Sequence, residues 1–147
     1  MKKKIHAIAG LIGFLCILTF WTSTVYSELF TSHEVIASVK AMILRGMFIL
    51  IPAMVIVGGS GMSMGGKWKS PLAVAKKKRM PIIALNGLLV LLPSAFFLAS
   101  KASAGEFDKM FYTVQAIELV AGALNLTLMG LNMRDGLRMT GRIARSR

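Results

Sequence analysis

The sequence predicts an all-α integral membrane protein, a four-helix bundle forming one domain over residues 1–147 with both ends on the cytoplasmic side of a bacterial inner membrane. Three observations predict it. Hydrophobic residues make up 55% of the chain and mean hydropathy is +0.66, more apolar than a water-facing surface allows. Four apolar stretches reach the roughly 20 residues that a helix needs to cross hydrocarbon. Positive charge is concentrated in alternate segments around them, the pattern that orients helices in a bilayer.

The first stretch, 5–26, follows Lys2, Lys3 and Lys4. Such a start resembles a secretory signal, but the apolar run exceeds the roughly 7–15 residues of a signal core, and no small-x-small cleavage site follows. It is therefore expected to stay as a helix. Cys16, the one cysteine, lies within it as a small core filler, so no intrachain disulfide forms. The segment after it carries Glu28 and Glu34 and no Lys or Arg. The second stretch, 39–59, is expected to end at Gly58-Gly59-Ser60-Gly61, with Gly65-Gly66 continuing the break, because glycine runs weaken helices. A basic loop, 60–80, leads to the third stretch, 81–100, which opens on Pro81 where a missing N–H costs nothing. Pro52 and Pro93 fall inside the second and third stretches and are expected to kink them. The next connection balances Lys101 and Lys109 with Glu106 and Asp108. The fourth stretch, 111–131, ends in a basic tail, 132–147.

The net charge of +12 invites a nucleic-acid partner. Its distribution argues against one. Lys2, Lys3 and Lys4, then Lys67, Lys69, Lys76, Lys77, Lys78 and Arg79, then Arg134, Arg138, Arg142, Arg145 and Arg147 hold 14 of the 18 cations, and all flank apolar runs on one side. The positive-inside rule places both termini and loop 60–80 in the cytoplasm, where these cations meet anionic headgroups. The expected partners are the lipid bilayer and further protein, as a homo-oligomer or a larger membrane complex, with no nucleic acid.

Polar residues at membrane depth face a bundle interior and mark candidate sites. In the fourth stretch Gln115, Glu118, Gly122, Asn125, Met129 and Asn132 recur at intervals of three and four, which puts them on one helix face. Glu118 needs a partner or a proton in hydrocarbon. Arg45 in the second stretch is the expected partner, since helical rise sets both roughly 10 Å below the outer surface. Gln115 and Lys40 are expected nearer the rim. Asn125 sits near the midplane, to hydrogen-bond across to Thr19, Ser23 or another helix. Asn86 and Asn132 are expected near the inner surface. Gly10, Gly13 and Gly122 offer surfaces for close helix approach or for a flat ligand. The resulting buried polar site is Arg45, Gln115, Glu118, Asn125 and Asn132.

No catalytic triad, zinc-ligand spacing or phosphate-binding glycine loop is present, so nothing marks the chain as an enzyme on its own. Gly61-Met62-Ser63-Met64 has thioethers of the kind that bind soft metals, among 11 methionines scattered through the chain. The two histidines, His6 and His33, lie at opposite ends of the first stretch and cannot share one iron within a subunit. His33 is read as a loop residue. His6-Ala7-Ile8-Ala9-Gly10-Leu11, with Phe14 and Leu18-Thr19 after it, resembles the His-x3-Gly-Leu opening of first helices in PepSY-associated membrane reductases and other small b-type cytochrome membrane proteins. That resemblance, over about fifteen residues, implies haem b with His6 as an axial ligand to the iron and Gly10 and Gly13 admitting the porphyrin. The pattern's second intramembrane histidine is missing here, so the resemblance leaves Met54, Met80, Met129, a symmetry-related His6 or nothing as the other ligand. Arg79-Met80-Pro81, Asn86-Gly87 and the segment from Gly130 to Gly136 resemble uncharacterised small bacterial four-helix inner-membrane proteins.

Three functions follow as expectations. They are electron transfer through haem b, a non-catalytic accessory or assembly subunit of a membrane complex, and an oligomeric small carrier using an Arg45–Glu118 site.

Overall fold

The computed structural model describes residues 1–65 and 69–142. Gly66, Lys67, Arg145 and Arg147, named above, lie outside the described residues. The described chain is helical throughout: α1 (Lys2–Phe30), α2 (His33–Gly65), α3 (Pro71–Asn86), a π-helical turn (Gly87–Leu91), α4 (Leu92–Ser103) and α5 (Lys109–Met139). The segment from α3 through α4 is one long helix, so four helices are long and apolar enough to cross a membrane.

These helices overrun the apolar stretches at several ends. α2 does not stop at Gly58–Gly61 but continues to Gly65. Each glycine costs a helix only about 1 kcal/mol, and tertiary contact outweighs it. At Gly61 the missing Cβ has a use, since one built there lies 2.9 Å from the Met80 methyl and 3.3 Å from the His6 ring. The third long helix begins not at Pro81 but ten residues earlier, at Pro71, where the Ser70 hydroxyl caps it by accepting from the Ala73 amide. Pro81 therefore lies inside α3. α2 likewise runs unbroken through Pro52. Pro93 has the structural effect expected of an interior proline: it lacks an N–H and its ring crowds the carbonyl four residues back, and the turn before it widens to a π-helical one.

The helices alternate in direction, with connections at 31–32 and 104–108. These two mark one end, here the upper; the start of α1 and the end of α5 lie at the lower end. α1 packs on α2 and α5, α4 packs on α2 and α5, and α3 on α5, while α2 and α5 stand across the diagonal. The 104–108 turn is held by Gly105 at φ 72°, which lets the Glu106 amide reach the Lys101 carbonyl at 2.9 Å and the Gly105 amide reach that of Ala102. Asp108 then caps α5 by accepting from the Phe111 amide at 2.9 Å. Three apolar clusters fill the interior: Ile36, Leu98, Ala102 and Phe111 at the upper end, Ile43, Met47 and Ala95 in the middle, and Ile17, Ile83 and Met129 below.

Candidate functional site

The inward face of α5 gathers most of the charged and amide groups of the interior. Gln115, Gly122, Asn125 and Met129 are buried, and Glu118 and Asn132 are largely so, as their three-and-four spacing requires. The same face runs on to Asp135, three residues past Asn132, which is 1% exposed. Three clasps are built along it.

At the upper end, Lys40 Nζ donates to Glu118 Oε2 at 2.9 Å, and Gln115 Nε2 donates to the same oxygen at 2.9 Å. Lys40 is 2% exposed and reaches across the diagonal from α2. Arg45 does not make the expected pair with Glu118. On α2 the inward stripe is Ile36, Lys40, Ile43 and Met47, all buried, and five residues past Lys40 a side chain has turned about 140° off that stripe. Arg45 is exposed. Two acceptors beside the pair, Glu28 Oε1 and Gln115 Oε1, are buried without a hydrogen-bond donor.

In the middle, Asn125 holds the third long helix. Its amide nitrogen donates to the Ile83 carbonyl at 3.3 Å, and its oxygen accepts from Asn86 Nδ2 at 2.9 Å. Asn86 Nδ2 also donates to the Ala121 carbonyl at 2.8 Å. Asn86 thus stands level with Asn125 rather than near the inner end, because α3 starts ten residues earlier than the apolar run suggests. Trp21 ties in α1 by donating to the Leu119 carbonyl at 2.9 Å, its ring lying where Gly122 leaves room: a Cβ there would meet Trp21 Cδ1 at 2.8 Å. Gly122 is thus a site of close approach, filled by an indole. Thr19 and Ser23 do not bond Asn125.

At the lower end, Arg79 donates to Asp135 at 2.6 Å and, more weakly, to Asn132 at 3.4 Å. Arg134 adds a contact to Asp135 at 3.2 Å. Asp135 and the role of Arg79 escape a reading based on apolar stretches because both fall outside them; continuing the α5 periodicity by one more step finds Asp135.

His6 lies on α1 against α2, its Nδ1 2.9 Å from the Ser60 hydroxyl. Gly10 and Gly13 face α2 as well, and they are already covered. A Cβ at Gly13 would lie 3.1 Å from Met54 Sδ and 3.6 Å from the Met129 methyl, and one at Gly10 would lie 3.9 Å from Val57. The slot that a porphyrin needs beside His6 is filled by α2 side chains, so these residues do not fit haem without parting α1 from α2. Met80 meets Gly61 on the neighbouring turn. His33 is not a free loop residue; it opens α2 and stacks on Phe107 with ring centroids 4.0 Å apart. Among the described residues no group of three or more His, Cys, Asp or Glu is placed to hold a metal ion.

A small cavity lies between the clasps, lined by Trp21, Thr24, Met47, Leu91 and Gly122, with Glu118 its one charged residue. Chemically the interior joins helices to one another. Protein-family models, curated proteins and solved structures offer no match to this chain.

Proposed function

We propose that the chain is a four-span inner-membrane protein with both ends in the cytoplasm, acting as a non-catalytic accessory or assembly subunit of a membrane complex. One observation carries this reading: the interior cations and the carboxylates of Glu118 and Asp135 are engaged with each other in clasps between helices. An interior arranged in this way serves to hold four helices in register. The basic lower end, with Lys69, Lys76, Lys77, Lys78 and Arg79 near the termini, suits the cytoplasmic face by the positive-inside rule.

Extraction of the chain from its own membrane in mild detergent tests this. The expected result is co-migration with other membrane proteins that survives His6→Ala and the paired change of Lys40→Met with Glu118→Gln. A Soret band in the purified protein, or a transport activity abolished by Glu118→Gln, overturns it.

A second reading is favoured by Glu28 Oε1 and Gln115 Oε1, buried acceptors without donors beside the Lys40–Glu118 pair. In an oligomeric carrier these groups receive a proton or a small donor, with Lys40 taking the role expected of Arg45. Proton uptake in vesicles that is insensitive to Glu118→Gln and Glu28→Gln rejects it.

A further inference from the structure

We propose that Arg45 is the docking contact for a transmembrane helix of a different protein, one that carries an aspartate or glutamate at the middle of the bilayer. The inference rests on the four-span reading above and adds the chemistry of the partner.

Arg45 is exposed, and among the described residues it makes no hydrogen bond, ion pair or ring contact. Its surroundings are apolar: Met42, Phe48 and Ile49 on the same outward side are 58%, 84% and 60% exposed. Three contacts locate its depth. Lys40, five residues above it, meets Glu118. Its neighbour Gly46 lies under the Phe20 ring, where a Cβ would come within 2.5 Å of the ring carbon Cζ. The next residue of α1, Trp21, covers Gly122. Arg45 is therefore level with Gly122, which stands thirteen residues, about 20 Å of helix, from both Lys109 above and Asp135 below. Counted along α5, that is the centre of a hydrocarbon layer about 30 Å thick, deeper than the roughly 10 Å expected from the start of the second apolar stretch because α2 begins at His33, and about 15 Å from either edge, beyond the span of an arginine side chain.

A guanidinium there needs an anion, and the setting narrows the anion's source. A lipid phosphate stays at the headgroup level, out of reach. A second copy of the chain has no carboxylate to offer. Its acids are Glu28, Glu34, Glu106, Asp108, Glu118 and Asp135; Glu118, the nearest in depth, already holds Lys40 and Gln115, and two Arg45 side chains brought together by a two-fold axis repel. A carboxylate on a foreign helix satisfies the charge and lets Phe48 and Met42 pack against its apolar neighbours.

A photoreactive residue introduced at Phe48 of the full chain, in its native membrane, tests the proposal alongside impermeant maleimide labelling of Arg45→Cys in a Cys16→Ser background. The expected result is a label-protected position 45 and one cross-linked membrane protein with a mid-span Asp or Glu. Its yield should fall at least about tenfold with Arg45→Leu and recover when Arg45→Glu is combined with Lys in place of the partner's acid. Arg45→Leu should leave the melting temperature of the isolated chain unchanged. Cross-linking to lipid alone, to a second copy alone, to nothing, or to a partner indifferent to Arg45→Leu overturns the docking contact while leaving four spans intact. Ready labelling of position 45 overturns the four-span reading and the docking contact together.

Discussion

Lys40 and Gly122 do different work on the same interior, and each is open to a direct test. Breaking a buried pair by removing one partner strands the other charge, at a cost of about 3–5 kcal/mol, so Lys40→Met should destabilise the bundle by that order. Lys40→Met combined with Glu118→Gln should recover much of the loss, and unfolding in detergent measures both. Gly122→Ala should cost about 1–3 kcal/mol by forcing Trp21 off its seat, whereas Gly58→Ala, with no atom within 4 Å of the added methyl, should be neutral or stabilising. Asp108 supplies a pH test. The Lys101 ammonium, then the Phe111 amide, holds its carboxyl below the usual range. A depressed folded value means the ionised form stabilises the fold above the unfolded pKa of about 4, and that contribution disappears as pH falls through the folded value. Asp108→Asn, which still caps α5, should flatten the dependence of melting temperature on pH in that acid range. Glu118 was readable from sequence as a group needing a cation. Its partner was legible only through the stripe Ile36, Lys40, Ile43 and Met47, since depth alone cannot separate Lys40 from Arg45.

The third long helix shows how an element takes its register from its contacts. Pro93 and the widened turn at Gly87–Leu91 insert one extra residue between two inward faces, Ser94, Ala95 and Leu98 above and Arg79, Ile83 and Asn86 below. Deleting Val90 together with Pro93→Ala should give a regular helix with both faces still inward and a monodisperse, cooperatively melting protein. Deleting Ala84 instead should swing Arg79 from Asp135 by about 100° and yield an aggregated or loosely folded one. Chromatography and melting curves separate the two. Hydropathy made four apolar elements plain, and it missed their lengths. Lys76, Lys77, Lys78 and Arg79 end an apolar run without ending a helix, because cations on exposed turns are good helix formers and the Ser70 cap lies beyond them.

For the whole molecule, the proposed orientation makes a prediction about sidedness. In a Cys16→Ser background, Ser32→Cys should react with an impermeant maleimide in intact cells and Ser70→Cys only after permeabilisation; the reverse pattern would invert the bundle. Which helices neighbour which was not legible, for the α1–α5 contact depends on Trp21 finding Gly122 and the seating of α1 on α2 on Phe20 finding Gly46. The diagonal reach of Lys40 carries one last consequence, in time rather than in space. Glu118 is made 78 residues after Lys40, about 4–16 s later at the pace of a translating ribosome, so on the proposed four-span reading Lys40 enters the bilayer before its partner exists. Glu28 is already there, on the helix joined to α2 by two residues and within electrostatic range of Lys40. Its carboxylate oxygen, left without a donor in the finished bundle, is the natural interim companion for the lysine while the rest of the chain is being synthesised.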